Sequence, residues 1–90
     1  MVISDFKYWW IVAKLCCYFD LTREQISAFH PTYQVCKVKK YAAYFLWRSG
    51  ATYYEAGQII GLKAHTTGRH IREMINSNDA ELERLKRIMA

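Results

Sequence analysis

Proline occurs once and glycine only four times in this 90-residue chain. Few positions therefore oppose a helix, and no Gly- or Pro-rich linker divides residues 1–90, so a single domain is expected. Cysteine is scarce and awkwardly placed. Cys16 and Cys17 are adjacent, which is poor geometry for a mutual disulfide, and Cys36 leaves the set odd. All three read as reduced core residues of a cytosolic protein. A long apolar run is missing too. The stretch from Tyr8 to Phe19 is interrupted by Lys14, is too short to span a bilayer, and is followed by no small-residue cleavage site. It reads as a core helix, and no membrane partner is expected.

Several chemistry-bearing patterns are also absent. His30, His65 and His70 with the three cysteines form no Cys-x-x-Cys or His-x-x-x-His pair, so a metal site is not expected. Gly57, Gly61 and Gly68 form no G-x-x-x-x-G-K-[ST] loop, which excludes that route to a nucleotide. The acidic residues are sparse and dispersed, leaving no evident acid–base pair. Neither an enzyme nor a cofactor is expected.

Acid is nearly missing from the middle of the chain. Between residues 30 and 72, Lys37, Lys39, Lys40, Arg48, Lys63, Arg69 and Arg72 stand against Glu55 alone. The flanking segments are close to neutral, so the formal charge of +5 is a basic island. Such an island suits a polyanion, either nucleic acid or an anionic membrane surface.

What is present favours an all-α fold of about six helices. Apolar residues make up 52% of the chain, with seven Tyr, three Trp and four Phe supplying much of the area available for burial. A first helix is predicted from about Asp5 to Tyr18, capped by Ser4 or Asp5, with Phe6, Trp10, Ala13 and Cys17 facing inward and Trp9, Val12 and Cys16 widening the stripe. Thr22 with Gln25 fits a capping box that opens a short helix. His30-Pro31-Thr32 then breaks the chain. A third helix is predicted from about Gln34 to Arg48, with Val35, Val38, Ala42 and Phe45 inside and Lys37, Lys40 and Tyr44 on the other side. Asn78 with Glu81 is the expected box of a last helix lined by Leu82, Leu85 and Ile88 or Met89.

Residues 52–76 have the layout of a helix-turn-helix. Thr52 and Glu55 cap the first helix. Ala56 is small where two helices cross, Gly61 allows the left-handed turn, and Leu62 plugs it from below. Ile59 or Ile60 with Ile71 and Ile75 should close the pair. On the second helix, about 65–76, Thr67, Ile71, Met74 and Asn78 fall on one side. His65, Arg69, Arg72 and Asn76 fall on the other, a row rich in groups that bond base edges and phosphates. An ordinary solvated face explains many such rows. With the upstream half of the motif present, the major groove of duplex DNA is the preferred partner.

Lys63-Ala64-His65-Thr66-Thr67, followed by His70 and Ile75, resembles the signature of the C-terminal DNA-binding domain of the bacterial replication initiator DnaA, where Gly-Arg-Asp-His-Thr-Thr precedes His and Ile at the same offsets. Upstream, Val35–Leu46 (VCKVKKYAAYFL) is similar to that family's basic loop entering a long helix, and Glu55 and Gly57 also match. The resemblance implies base contacts from Ala64, His65 and Thr66, with Thr67 near base methyls or phosphate. It also implies backbone or minor-groove contacts from Lys37, Lys39 and Lys40, and a role for Lys63 at the signature arginine. Ala64 stands where the family has Asp, an acceptor suited to a cytosine amino group. Lysines stand where the family loop has arginines.

The resemblance thus implies a binder of replication-origin or regulatory sites, without the initiator's ATPase. A transcription regulator, or a protein-interaction module docking on replication proteins, is the competing reading. Trp9, Trp10 and Trp47 sit in apolar helical settings and read as core rather than as base-stacking platforms. No heptad seam or long exposed apolar stripe is evident, so a monomer is expected.

Overall fold

The computed structural model describes residues 3–28 and 32–89, the first three by their backbone alone. These residues form six helices and no strand: α1 (Ile3–Phe19), α2 (Arg23–Ile26), α3 (Tyr33–Arg48), α4 (Tyr53–Ile60), α5 (Ala64–Ile75) and α6 (Ala80–Met89). The all-α, six-helix expectation holds. Ser4 and Asp5 lie within α1, and their side chains, like His30 and Pro31, fall outside the described residues.

Local signals account for most of the helix ends. The Thr22 and Thr52 hydroxyls accept from the amides of Gln25 and Glu55, whose side chains accept in return from the Thr amides, so both capping boxes form. α1 stops at Asp20, which adopts a left-handed φ of 59° that Asp tolerates better than most residues. The Leu21 amide then closes on the Cys16 carbonyl at 2.8 Å. The cap of α6 is Asp79 rather than Asn78. Asp79 Oδ1 accepts from the amides of Glu81 and Leu82, while its Oδ2 accepts from the Tyr41 hydroxyl at 2.8 Å. Two neighbouring residues can both cap, and the tertiary partner Tyr41 selects the carboxylate.

α3 lies at the centre, packed against α1, α2, α4 and α5. Its predicted stripe of Val35, Val38, Ala42 and Phe45 is buried, but so are Tyr41, Ala43, Tyr44 and Leu46. Tyr44 was expected on the outer side. A helix surrounded by neighbours has no wide solvent face. In α6, Leu82 and Leu85 are buried and Met89, not Ile88, packs against the core.

The face of α1 is turned from expectation: Val12 and Cys16 enter the core as expected, together with Tyr8, Ile11 and Leu15, and Trp9 packs against it, but Phe6, Trp10, Ala13 and Cys17 face solvent. Lys14 is the only charged residue between Tyr8 and Phe19, so the sequence is apolar nearly all round. Its periodicity cannot choose a face, and contact with α3 makes the choice. Consequently only Cys16 of the three thiols is a core residue; Cys17 and Cys36 are exposed and none is bridged. Trp10 and Trp47 are exposed, and Trp9 is half-buried beneath the Arg23 guanidinium, 3.7 Å from its ring centroid. Among the described residues no helix is long and apolar enough to cross a membrane.

Candidate nucleic-acid interface

The α4–α5 junction is built from small residues. Ala56 is fully buried, and a side chain on Gly57 would collide with the Leu62 carbonyl oxygen and lie 2.9 Å from Thr67 Oγ1. The Leu62 amide donates to the Gly57 carbonyl at 2.8 Å, and Gly61 turns the chain with φ 75°. Gly68 supports the Tyr53 ring, which occupies the space of a side chain there. Ala56, Gly61 and Leu62 take their expected roles. The close approach at Gly57 and Gly68 was not expected, and its signal is the pairing of small residues, Ala56-Gly57 with Thr67-Gly68.

Thr67, which the DnaA resemblance puts near base methyls or phosphate, is instead interior, on the side that the helical rotation gives it. Its side chain is fully buried and its hydroxyl donates to the Lys63 carbonyl at 2.9 Å. Its methyl-bearing side chain packs the crossing, because the first turn of α5 lies directly on α4. Ile71 and Ile60 are buried as expected, whereas Ile75 is half exposed and does not close the pair. Asn78 lies beyond the end of α5.

The outer face of α5 carries the predicted row. His65, Arg69, Arg72 and Asn76 are exposed, and among the described residues no hydrogen bond or ion pair engages the first three side chains. The Asn76 carboxamide donates to the Arg72 carbonyl at 3.0 Å. α5 starts without a side-chain cap and without an acid in its first turn. Its opening amides and positive dipole end are therefore available to an anion, next to the exposed Lys63 ammonium. A groove of about 780 Å³ runs along this end, with Ala64, His65 and Thr66 on one wall and Tyr54 and Gln58 on the other. Tyr54 and Gln58 were not among the expected contacts. Their spacing of four on α4, opposite Ala56 and Ile60, is the pattern that marks them.

The basic segment 37–40 does not behave as a unit. It belongs to α3 rather than to a loop, so its lysines point in different directions. Lys39, expected on the DNA backbone, is almost fully buried, and its ammonium donates to the Ala28 carbonyl at 2.8 Å. It sits 3.6 Å from where a Gly61 side chain would begin, and burial pulls its pKa down. Lys39 thus braces the α2–α3 connection against the helix-turn-helix turn and has no free charge for a phosphate. Lys40 is only partly exposed and pairs with Glu73 at 3.3 Å. That contact outweighs burial, which acts the other way, and holds the Glu73 carboxyl below its ordinary value. The same Glu73 oxygen is 3.6 Å from His70 Nδ1, a buried nitrogen with no hydrogen-bond partner among the described residues, and burial lowers the His70 pKa. His70 is accordingly a neutral packing residue at pH 7. Lys37 is exposed beside Met74 and Asp79, at the far end of α5 from Lys63.

Among the described residues no three His, Cys, Asp or Glu side chains gather where they could hold a metal. Comparison of the chain with models of known protein families, with curated proteins and with solved structures finds no match.

Proposed function

We propose that the chain binds double-stranded DNA by laying α5 in the major groove. The observation that carries this reading is the division of α5: Thr67 and Ile71 are buried, while His65, Arg69 and Arg72 are exposed, with no side-chain hydrogen bond or ion pair among the described residues. The uncapped N-terminus of α5 and Lys63 would hold a backbone phosphate, fixing the register. His65 and Thr66, at the start of the helix, would read base edges. Tyr54 and Gln58 would approach the same strand from α4. The likeness of the Lys63–Thr67 segment to the DnaA signature supports a replication-origin or regulatory site as the target. The buried Thr67 and Lys39 assign those two matching positions to the fold.

Selection of duplexes from a randomised pool, followed by a salt titration on the selected sequence, tests the proposal. With Lys63, Arg69, Arg72 and Lys37 as the cations that meet phosphates, the log–log salt slope should be about −3 to −4. Absence of duplex binding at low salt, or a slope near zero, defeats it. The family geometry has its own test at Ala64. Ala64→Asp restores an acceptor at a position favoured by the helix dipole, and should move one selected base pair toward cytosine with discrimination of about 1–3 kcal/mol. An unchanged motif would mean that α5 sits differently in the groove.

A further inference from the structure

We infer that Tyr53 is a positioning residue for Arg72: its ring walls the guanidinium in beside the outer row of α5, so that Arg72 meets a backbone phosphate already aimed. The inference rests on the DNA-binding reading above and goes one step into its machinery. It starts from local helix geometry. A helical side chain leans toward the N-terminus and covers the turn before its own Cα, so Arg72 lies back over position 68. That position is glycine and leaves a hollow, which α4 fills. Cδ2 and Cε2 of the Tyr53 ring lie 2.8 Å from the point where a Gly68 side chain would begin, and Arg72 Nη1 lies 3.5 Å from the same point. Ring and guanidinium therefore meet over Gly68, and a side chain at position 68 would displace the ring.

The ring makes a firm wall. Tyr53 opens α4 directly after Thr52, where the capping box of Thr52 and Glu55 fixes the backbone. A Tyr side chain turns about few torsions, so a ring held this way loses little freedom on meeting a ligand. Arg72 is the opposite case. Its stem is long and mobile, and among the described residues no hydrogen bond or ion pair engages its guanidinium. Without the wall it would sample more rotamers and give them up on binding. Both Tyr53 atoms against Gly68 are ring carbons. The hydroxyl takes no part in that contact, and Phe would build the same wall.

The target follows from where Arg72 stands on the helix. It shares the outer row with His65 but lies about 10 Å further along the axis. A helix whose first turn reads base edges across a groove about 12 Å wide brings that further part beside a strand backbone. A planar fork held in one orientation suits two oxygens of one phosphate, a contact that fixes register without reading sequence.

A double-mutant cycle tests the inference on the duplex that the wild-type chain selects from a randomised pool. Arg72→Ala should weaken binding about tenfold, the loss of one charge-assisted contact. Tyr53→Ala should weaken it about threefold to tenfold, the cost of ordering a freed arginine. The combined variant should bind no more weakly than Arg72→Ala alone, because nothing is left to position. A merely structural role for Tyr53 would weaken both backgrounds equally. Tyr53→Phe should bind as the wild type does. Arg72→Lys, which lacks the planar fork, should lose most of what Arg72→Ala loses. Helical spectra and melting points keep loss of fold out of the comparison. Where Tyr53→Ala fails to fold, Tyr53→Phe and Arg72→Lys still decide. Equal losses from Tyr53→Ala in the two backgrounds, a Tyr53→Phe variant several-fold weaker than wild type, or an Arg72→Ala or Arg72→Lys variant that binds like wild type each overturns the inference and leaves DNA binding standing. Absence of duplex binding by the wild-type chain removes both.

Discussion

α1 and α5 both press one face on α3 and leave the other to solvent, yet they present opposite chemistry. The outer row of α5 is cationic and polar, suited to a partner felt at a distance and weakened by salt. The outer row of α1, Phe6 and Trp10 with Ala13 and Cys17, is uncharged, so salt has little hold on it. One central helix therefore holds two faces with different demands on their surroundings. The difference also divides the roles within the fold. The α4–α5 crossing depends on the absence of side chains, whereas the outer stripe of α1 depends on their presence and does little for the folded chain itself.

Gly57→Ala should show the largest effect. The added methyl meets the Leu62 carbonyl and the Thr67 hydroxyl, backbone and packed side chain that cannot both retreat. A loss of about 3 kcal/mol is expected, with a melting temperature lower by on the order of 10–20 °C. A neutral Gly57→Ala variant would break the contrast at its centre, since the crossing would then have room to spare.

Next in size is Asp79→Ala, which removes the α6 cap and strands the Tyr41 hydroxyl. Thermal or urea unfolding at pH 7 should register a loss of about 2 kcal/mol. The Asp79 carboxyl is pushed upward by burial, but hydrogen bonds from Tyr41 and from the Glu81 and Leu82 amides outweigh this and hold it below its ordinary value. A depressed carboxyl contributes stability that is present above the unfolded value, about pH 4, and is lost as pH falls through the folded one. The difference between wild type and Asp79→Ala should accordingly shrink below about pH 4. A difference that stays constant to pH 2 would show that the charge of Asp79 is irrelevant to its two contacts.

Lys39→Ala and Lys63→Ala sharpen the comparison by separating fold from binding. Lys39→Ala should cost about 1–2 kcal/mol of stability, through the orphaned Ala28 carbonyl, and leave the salt slope of DNA binding unchanged. Lys63→Ala should leave stability within about 0.5 kcal/mol and shallow the slope by about one. Exchange of these two outcomes would place the wrong lysine at the interface. Smallest of all is Phe6→Ala at low micromolar concentration, where unfolding should differ from wild type by no more than about 0.5 kcal/mol. A large loss there would mean that Phe6 belongs to the core after all.

The parts of the fold that were legible in the sequence are those whose signals are local. Thr22 with Gln25, Thr52 with Glu55, and Gly61 each act on neighbours within a turn, and all took their expected roles. The two sides of α5 were legible because its polar and apolar residues alternate with the helical period. α1 offered no such alternation, and its face was set by α3. Lys39 was misread for a similar reason, since its partner Ala28 belongs to a segment eleven residues away in the chain. Asn78 and Asp79 are equally good caps by type, and Tyr41, distant in sequence, decided between them. Of the candidate site, the row His65, Arg69 and Arg72 was readable, and the α4 wall with Tyr54 and Gln58 was recognisable only once the groove existed.

The buried ammonium of Lys39 has a chemical consequence. Acylation of a lysine requires an open approach to its nitrogen, and Lys39 has none while that nitrogen stays buried and bonded to Ala28 beneath the Gly61 turn. Lys37, two positions away and exposed, is open to the same reagent. Residues that look alike in the sequence thus age differently under acetylating conditions. The surface would lose its mobile cations first and the brace last. Reactivity appearing at Lys39 would then register the opening of the Gly61 turn before any change in helix content.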